Sequence, residues 1–472
     1  MIHSRLLTLF VLSSMTLARG EVPQGGAGWD PGPYLMLDDS LVVELAGLTR
    51  RVNQPSRLPD PIVTGYEDGC FQPYITVIRD SQTRRFRMWY GVPAAPGAEG
   101  RSRLAYIESE DGMHWLRPHR VLDTPPIQFG ASVLDEGPAC GDPAKRFKFA
   151  WWKDGGLQVA ASTDGLTWSS LAPGVVLPMS HDVTGIDWDP IRKRYIGFVS
   201  AVPKEGPYTG LRIPHQSVSD DLVHWKTPWP IVTPDPEAPI EKGQTQFYGM
   251  SAMLVRGGLL VTTVKVLRDD LNCEPGKTAT QLHDPKRPFA GIGYTVLACS
   301  RDGEHWKRET EPFLDRNSQP GTWDRAMTWA DDQLIVGDYT YIYYGGYRWG
   351  HKADRFTERQ IGFAQMPRDR YVGFTAGESD GRLLTRTARL NAPRMTVNAQ
   401  VNPIDGELRV RILDESNRPY PGFDWEDCTP IKGDRVNHPI AFKGANASLA
   451  GKPARFEFRL RQATLWSLDL QP

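Results

Sequence analysis

The sequence predicts an all-β protein, a five-bladed β-propeller followed by a C-terminal β-sandwich. Three observations lead to this prediction. A heptapeptide pattern, Ser-x-Asp-[Gly/Leu]-x-x-Trp, occurs four times, and an Asp followed by an Arg-aromatic pair recurs upstream of it. The last hundred or so residues instead show short alternating strands without the repeat. The tryptophans of successive repeats are 53, 57 and 81 residues apart, a spacing typical of one small sheet per repeat.

Each copy of the heptapeptide is expected to be a tight turn. Asp-Gly favours such turns, the Ser and Asp oxygens can accept hydrogen bonds from the turn backbone, and the indole covers the turn. A catalytic residue is not needed four times, so the repeats are interpreted as structural. The copies run from Ser109 to Trp115, Ser162 to Trp168, Ser219 to Trp225 and Ser300 to Trp306.

The second recurrence places a hairpin ahead of each turn. Asp80 precedes Arg85-Phe86, Asp142 precedes Arg146-Phe147, and Asp189 precedes Arg194-Tyr195. Each lies between an apolar run and a repeat turn. The predicted unit is therefore a strand, a hairpin, a second and a third strand, and the Asp-Gly turn.

These units divide the chain. Residues 1–20 are assigned to a signal peptide, residues 21–376 to the propeller and residues 377–472 to the sandwich. Residues 34–63 are expected to supply one or two leader strands that close the ring with the last blade. A polar insertion between Leu267 and Phe289 lengthens the fourth interval, and such loops often shape a binding cleft. The blades are assigned to residues 65–115, 120–168, 176–225, 239–306 and 313–376, of which the fifth keeps the strand pattern without the turn.

The N-terminus predicts export. A short basic start precedes the apolar run Leu6–Leu12, and small residues follow at Ala18 and Gly20, a pattern typical of a cleaved signal peptide. Ser13 and Ser14 interrupt the run too early for a membrane anchor, and no later segment is apolar enough to span a bilayer. A secreted or periplasmic location is expected.

Charge and cysteine content exclude several classes of function. Lys and Arg number 55 and Asp and Glu number 56, a net charge of −1 that gives no reason to expect nucleic acid or an anionic membrane as a partner. A neutral or weakly charged ligand is expected. The five cysteines are scattered, which argues against a zinc site and a disulfide scaffold. We expect a monomer without a cofactor.

The chain resembles a known family. The repeated turns, the segments Tyr248-Gly249-Met250 and Gly321-Thr322-Trp323-Asp324, and the C-terminal sandwich are similar to those of bacterial secreted propellers related to glycoside hydrolase families 32 and 43. The resemblance covers almost the whole mature chain and implies a glycosidase with a carbohydrate substrate. Related propellers sometimes hold a structural calcium ion in the channel, but no loop here has the ligand spacing of a dedicated site, so no metal is expected.

Glycoside hydrolysis requires two carboxyl groups, one protonated and one ionised, on either side of the scissile bond. We expect them at one mouth of the central channel, where the innermost strands converge. By resemblance, Asp68 is the nucleophile or base with Glu67 close behind. Asp182 and Asp324 are candidates for the acid or a residue that tunes it, and Glu241 comes next. Asp135 and Glu136 are weaker candidates, and for each carboxylate a solvated turn or a salt bridge is the alternative.

Other groups near these carboxylates suit sugar binding. His181, Gln246, Tyr248 and Arg325 can hydrogen-bond hydroxyl groups, and Trp323 can stack on a sugar ring or pack in the core. Two further hypotheses stay open beside the glycosidase. One is a catalytically silent propeller that binds carbohydrate or serves at the cell surface. The other, more distant, is a sialidase, suggested by Arg212-Ile213-Pro214.

Overall fold

A computed structural model gives the architecture of the protein. The chain is almost entirely β-structure, which confirms the all-β prediction. Besides strands, the part of the chain that the structure describes contains one short α-helix and four 3₁₀ turns at Asp39–Leu41, Pro143–Lys145, Pro239–Glu241 and Thr280–Leu282. The structure describes residues 28–70, 74–95, 102–179, 184–235, 237–243, 245–392, 394–443 and 448–472.

The described part of the chain, from residue 28, begins with five short strands and the helix. They are β1 (Gly28–Trp29), β2 (Gly32–Leu35), β3 (Val42–Ala46), β4 (Thr49–Val52), β5 (Ser56–Arg57) and α1 (Gly65–Asp68). Thr64 caps the helix by accepting a hydrogen bond from the Glu67 amide, and Gly69 ends it with a left-handed φ of 62°, a conformation that glycine adopts without steric cost.

Three antiparallel sheets follow in chain order. The first contains β6 (Thr76–Arg79), β7 (Phe86–Pro93), β8 (Ser102–Ser109) and β9 (Arg120–Val121). The second contains β10 (Phe129–Asp135), β11 (Phe147–Lys153), β12 (Gly156–Ser162), β13 (Ser169–Ser170) and β14 (Leu177–Pro178). The third contains β15 (Thr184–Asp189), β16 (Arg194–Ala201), β17 (Ile213–Ser219) and β18 (Trp229–Pro230).

A fourth, eight-stranded sheet consists of two antiparallel runs. The first run is β19 (Thr245–Arg256), β20 (Leu259–Arg268), β21 (Ile292–Ser300) and β22 (Lys307–Arg308). The second is β23 (Met327–Val336), β24 (Tyr339–Tyr347) and β25 (Arg359–Pro367), to which β5 adds an outer strand. One parallel pair, Gly293 with Met327, joins the two runs. The leader residues Ser56 and Arg57 thus complete the last run.

The first strands of these five runs contact one another in a closed circle. β6 contacts β10, β10 contacts β15, β15 contacts β19, β19 contacts β23, and β23 contacts β6. The five strands are apolar or small at many positions, and their neighbours in each sheet supply the buried aromatic and branched side chains that separate one run from the next. The circle encloses the space in which the candidate site lies.

The remaining eight strands form two six-stranded sheets together with β1 to β4. They are β26 (Val372–Ala376), β27 (Gly381–Thr385), β28 (Ala388–Leu390), β29 (Arg394–Val401), β30 (Glu407–Leu413), β31 (Gly433–Pro439), β32 (Pro453–Arg461) and β33 (Ala463–Gln471). One sheet has the order β1-β28-β32-β27-β3 with β30 on β32, and the other β31-β29-β33-β26-β4 with β2 on β33. A single apolar core, which includes Phe456 and Leu465, draws on both.

The N-terminal strands belong to these two sheets. β1 to β4 hydrogen-bond with β28, β33, β27 and β26 respectively, although the sequence assigns residues 21–376 to one unit. The sequence could not predict this pairing, because alternation in a strand shows which face is apolar but not which strand lies beside it. Leu35 and Leu37 pack on β20 and β21 residues such as Val261 and Leu297, so the N-terminal segment also contacts the eight-stranded sheet.

The repeated turns have the geometry expected of them. The Ser162 hydroxyl accepts hydrogen bonds from the amides of Asp164 and Gly165, and Asp164 Oδ1 accepts from the amides of Leu166 and Thr167. The carbonyl oxygen of Gly165 accepts a 2.8 Å hydrogen bond from Trp89 Nε1 in the preceding sheet. The turn therefore also joins two sheets.

Candidate functional site

A cavity of about 400 Å³ lies inside the circle of first strands. Its lining residues come from the five first strands β6, β10, β15, β19 and β23. Around β6 the lining extends from Tyr74, just ahead of the strand, to Ser81, just after it. Ligand pockets in proteins commonly measure about 300–1,000 Å³, so the cavity is large enough for a sugar ring. We call the end where the first strands begin the mouth.

Three of the first strands carry a β-bulge. The register skips Gly130 in β10, Tyr248 in β19 and Asp331 in β23, so each of these residues is extra relative to the neighbouring strand. A bulge bends the strand and redirects a side chain, and bulges are frequent beside active sites. The bulge in β23 places two consecutive carboxyl groups, Asp331 and Asp332, in the cavity lining.

Asp187 of β15 and Asp332 of β23 form the carboxyl pair of the cavity. Both line it and both remain partly exposed. Burial raises the pKa of Asp187 well above its ordinary value, and the charge of Asp332 raises it further. Burial also raises the pKa of Asp332 to about 7, although the amides of Val77 and Gln333 donate to its oxygens at 2.6 and 2.8 Å. Near neutral pH the pair therefore holds a proton.

Asp331 has a different environment. Lys265 Nζ of β20 lies in direct contact with Asp331 Oδ1, and both side chains are almost completely buried. Burial raises the pKa of Asp331, whereas the ammonium group of Lys265 opposes the shift. This ion pair is buried directly beside Asp332, the next residue of the strand.

Aromatic and imidazole side chains gather at the mouth. The ring of Tyr248 lies 4.6 Å from that of Trp329 and 5.2 Å from that of His351. Tyr74, which also lines the cavity, packs against this group. Trp329 precedes Asp331 by two residues, about 7 Å along a strand, so the mouth group is contiguous with the carboxyl pair.

The insertion between β20 and β21 holds His351 in place. Asp269 Oδ1 lies 3.4 Å from His351 Nδ1 and 2.8 Å from Arg287 Nη1. Burial lowers the pKa of His351 to about 3, and the charges of Arg212 and Arg359 add to the effect. The imidazole is therefore neutral, and the carboxylate of Asp269 favours the tautomer that carries its proton on Nδ1.

Asp68, the predicted nucleophile or base, is bound on all sides. Arg117 Nη1 lies 2.7 Å from both carboxylate oxygens, His119 Nδ1 lies 2.9 Å from Oδ1, and the Tyr90 hydroxyl donates to Oδ2 at 2.6 Å. Its neighbour Glu67 is largely exposed and lies 3.5 Å from Arg117. Asp68 is thus a buried ion-pair partner next to the outer strand β9.

Glu241 and Asp324 show the same arrangement. The guanidinium of Arg308 in the outer strand β22 binds both oxygens of Glu241. Arg57 in the outer strand β5 donates to Asp324 at 3.1 Å, and the Tyr344 hydroxyl donates to the same oxygen at 3.2 Å. None of the carboxylates of Asp68, Glu241 and Asp324 lines the cavity. Each instead joins a segment ahead of its run to the outermost strand.

The predicted sugar-binding residues divide between the mouth and the outer strands. Gln246 and Tyr248 lie at the mouth, where Arg212 donates to Gln246 Oε1 at 2.7 Å. Trp323 stacks on Tyr344 at 5.6 Å and donates its indole N–H to the Pro59 carbonyl. Arg325 pairs with Glu274 and binds the carbonyl oxygens of Asn317 and Ser318. Trp323 thus takes the packing alternative.

Four predicted residues remain: His181, Asp182, Asp135 and Glu136. His181 and Asp182 lie outside the described residues. Asp135 lines the cavity but is bound by Arg146 through both oxygens at 2.6 Å, and Glu136 lies 2.7 Å from Lys148.

Sequence reasoning did not select Asp187, Asp331 or Asp332. Asp187 alternates in the sequence with Ile186 and Trp188, which assigns its side chain to the opposite face of the strand. Two adjacent carboxyl groups in an otherwise apolar first strand are a further signal. The bulge that brings Asp331 into the cavity lining has no such signal, because nothing local specifies it.

Within the described part of the chain, no group of three or more His, Cys, Asp or Glu side chains is arranged to hold a metal ion. No helix in the described ranges is long and apolar enough to cross a bilayer.

Comparisons with known proteins find structural likeness only. No family model matches the sequence, and no curated protein does. The structure is similar to an arabinoxylan arabinofuranohydrolase of glycoside hydrolase family 43 from Bacillus subtilis, with 10% identity over 87% of this chain and 99% of that one and a TM-score of 0.40. It is also similar to a family 32 β-fructofuranosidase from Bombyx mori, with 9% identity over 89% and 95% of the two chains and a TM-score of 0.39. A third similar structure is an N-acetylgalactosamine deacetylase from F. plautii, with 16% identity over 69% and 96% of the chains and a TM-score of 0.43. Families 43 and 32 are the ones whose motifs this sequence resembles.

Proposed function

We propose that this protein is an exported glycoside hydrolase that cleaves a glycosidic bond in an oligo- or polysaccharide. The observation that carries the proposal is the carboxyl pair of Asp187 and Asp332, which two different first strands bring into one cavity large enough for a sugar ring. Hydrolysis of a glycoside needs one carboxyl group to donate a proton and a second to act as base or nucleophile.

The environments of the two groups suggest their roles. Burial and the charge of Asp332 raise the pKa of Asp187 well above its ordinary value, so Asp187 is assigned the role of proton donor to the leaving oxygen. Asp332, with a pKa of about 7, is partly ionised near neutrality, and two backbone amides orient its oxygens. It is assigned the role of base or nucleophile. Lys265 and Asp331 hold the strand beside it, and the mouth residues Gln246 and Tyr248 are assigned to sugar hydroxyl groups.

The fold assigned to this enzyme is a five-bladed β-propeller with a C-terminal β-sandwich. The closed circle of five first strands supports five blades, and the pairing of β5 with β25 supports ring closure by the leader segment. The two six-stranded sheets that share one core support the sandwich, with residues 28–52 as part of it. Export rests on the apolar N-terminal segment of the sequence, and a monomer without a cofactor remains the expectation.

Asp182 and His181 keep their predicted place in this proposal. They precede β15, the strand that carries Asp187, in the sequence. Asp182 is therefore kept as an alternative acid for the same reaction. Variants of positions 182 and 187 distinguish the two candidate acids.

A catalytically silent carbohydrate-binding propeller is the second candidate. The observation that favours it is that Asp68, Glu241 and Asp324 are all paired with arginines that lie in an outer strand or, for Asp68, just before one, which gives each of them a structural role. The sialidase hypothesis loses its support, because Arg212 is engaged with Gln246 and Tyr248.

A polysaccharide screen separates the two candidates. The purified protein is incubated with a panel of plant, algal and microbial glycans, and released reducing sugars are measured beside an affinity measurement on the same panel. Release of sugars that disappears in both Asp187→Asn and Asp332→Asn supports the hydrolase. Binding without release in the unaltered protein would establish the silent module instead.

A further inference from the structure

Lys265 and Asp331 bring a pair of opposite charges to the wall of the cavity. Both residues line it, and Lys265 Nζ lies in direct contact with Asp331 Oδ1. Only 5% of the lysine side chain and 9% of the aspartate side chain are exposed. The pair is thus withdrawn from bulk water, and the cavity is the space beside it.

The local backbone explains how the two side chains reach the cavity. Lys265 lies in β20 and is paired with Gly249 of β19, just after the bulge at Tyr248. Residues opposite each other in an antiparallel pair direct their side chains to the same face, and glycine has no side chain to place over the lysine. The bulge in β23 adds Asp331 to the wall from the other side.

Both groups keep hydrogen-bonding capacity beyond their contact with each other. An ammonium group has three donors, and an ionised carboxylate has about four acceptor positions. Among the described residues, Lys265 donates to Asp331, and Asp331 accepts from Lys265 and from the amide of Ile75. A molecule in the cavity that offers an acceptor and a donor side by side can therefore bind both groups.

Stability alone does not account for a charged pair at this position. Withdrawing two charges from water has a cost that their attraction often fails to exceed, and apolar side chains of similar volume are commonly as stable in the same place. The pair also lies directly beside Asp332, one of the two carboxyl groups assigned to the chemistry. These observations indicate that the pair contacts the same ligand as Asp187 and Asp332.

We propose that Lys265 and Asp331 bind two neighbouring hydroxyl groups of the sugar ring that enters the cavity, with Lys265 donating to one oxygen and Asp331 accepting from the other hydroxyl. This inference rests on the proposed function and names its substrate class, a neutral saccharide whose cleaved unit carries an unsubstituted vicinal diol. A unit that lacks either hydroxyl would leave a buried charged group without its partner, which sites of this kind discriminate against strongly.

Calorimetric titration with simple glycosides tests the proposal. The probes are the methyl pyranosides of glucose, galactose, mannose, xylose and arabinose, each beside its 2-deoxy, 3-deoxy and 4-deoxy forms. We expect at least one parent glycoside to bind. Loss of either hydroxyl of one neighbouring pair should weaken its binding about tenfold to a hundredfold, the range of a hydrogen bond to a charged group.

Variants of the pair assign this discrimination to its residues. Lys265→Met/Asp331→Leu replaces the pair by apolar side chains of similar size and should keep the fold, while the parent and deoxy glycosides bind equally weakly. Arg256→Met/Asp369→Asn is the matched control and should keep the discrimination. It removes an ion pair with 2.7 Å between Arg256 Nε and Asp369 Oδ1, and neither residue lines the cavity.

A second variant covers the case in which the double variant does not fold. Asp331→Asn keeps the shape of the side chain and an acceptor for Lys265, but removes the carboxylate oxygen that would accept from the sugar. It should weaken the parent glycoside and leave the affinity for one of the deoxy forms unchanged. The same discrimination in Asp331→Asn as in the unaltered protein would give the pair a structural role only.

Each outcome decides for or against the inference. Discrimination that persists in Lys265→Met/Asp331→Leu, or binding of no glycoside by the unaltered protein, overturns it. Discrimination by a protein that releases no sugar from any glycan of the screen would contradict the hydrolase and leave this inference standing. Release of sugars by a protein that binds the parent and deoxy forms equally would do the reverse.

Discussion

The hydroxyl group of Tyr343 donates a hydrogen bond to the carbonyl oxygen of Gly112, 2.9 Å away. Tyr343 lies in β24 of the last run, whereas Gly112 lies in the first repeat turn, so this bond joins the two ends of the circle. The same contact recurs with other donors: Trp89 Nε1 binds the Gly165 carbonyl and Gln216 Nε2 binds the Gly303 carbonyl. Three of the four repeat turns therefore join one run to its neighbour.

Tyr343→Phe should consequently destabilise the protein. The side chain is fully buried, and the change leaves the Gly112 carbonyl without this donor at a cost of about 1–2 kcal/mol. Chemical denaturation with a two-state fit measures the change. Tyr339→Phe, half exposed at the start of the same strand, is the control and should leave stability unaltered. If Tyr343→Phe is as stable as Tyr339→Phe, the hydrogen bond between Tyr343 and Gly112 contributes nothing to stability.

Trp168→Ala tests whether a repeat tryptophan is structural. Its indole lies 5.3 Å from the ring of Phe149 and is only partly buried, so we expect a loss of about 3 kcal/mol, the lower end for a large aromatic residue. The specific activity of the surviving folded protein should not change. A variant that is folded, stable and inactive would instead give the repeat a role in the site.

The repeat turns also predict an acid limit of stability. The backbone amide of His224 and its imidazole lower the pKa of Asp221 below its ordinary value. In the acid range the unfolded chain therefore binds a proton at this position before the folded chain does, and stability falls as pH decreases below about 4. Asp221→Asn should make the melting temperature less dependent on pH between 5 and 3. The adjacent, exposed Asp220→Asn should retain the dependence of the unaltered protein.

The local repeats could be predicted because they are encoded locally. Ser162, Asp164 and Gly165 make their turn with their own backbone, and Asp80 and Asp189 accept from amides two and three residues further on, as the hairpin pattern requires. The pairing of β1 to β4 with strands more than three hundred residues away could not be predicted, because a short alternating segment fits any edge of suitable polarity.

The candidate site was less predictable for a related reason. Carboxylates just ahead of a first strand were expected at the mouth, but in Asp68, Glu241 and Asp324 an arginine from the outer strand or from the segment just before it decides where the side chain points. That arginine is between 49 and 267 residues away from the carboxylate in the sequence, so no local pattern predicts the ion pair. Conversely, the alternation of Asp187 with its apolar neighbours is visible in the sequence, but only the circle of strands shows that its side chain lines the cavity.

Asp332→Asn should change how stability depends on pH, independently of activity. Burial raises the pKa of Asp332 to about 7, so between its unfolded value near 4 and pH 7 the folded chain retains a proton that the unfolded chain has lost. This contribution to stability is therefore lost as pH rises. The variant should gain melting temperature relative to the unaltered protein at pH 8 and gain less at pH 5. If the difference in melting temperature between the variant and the unaltered protein is the same at both pH values, Asp332 titrates normally. Asp338→Asn, in the exposed turn of the same hairpin, is the control for the loss of a surface charge.

Asp187→Asn is the variant on which the proposed chemistry depends. The change keeps the shape of the side chain and removes its acidic proton, and Asp187 makes no ion pair within the described ranges that its loss would break. On the glycan identified by the screen we expect turnover to fall by about a hundredfold or more, the usual contribution of general acid catalysis, with no loss of melting temperature. The basic limb of the pH profile of kcat should also disappear, because the raised pKa of Asp187 sets it in the unaltered protein. Asp182→Asn provides the comparison. If that variant loses turnover while Asp187→Asn retains it, the acid lies at the mouth, and the carboxyl pair of the cavity has a structural rather than a catalytic role.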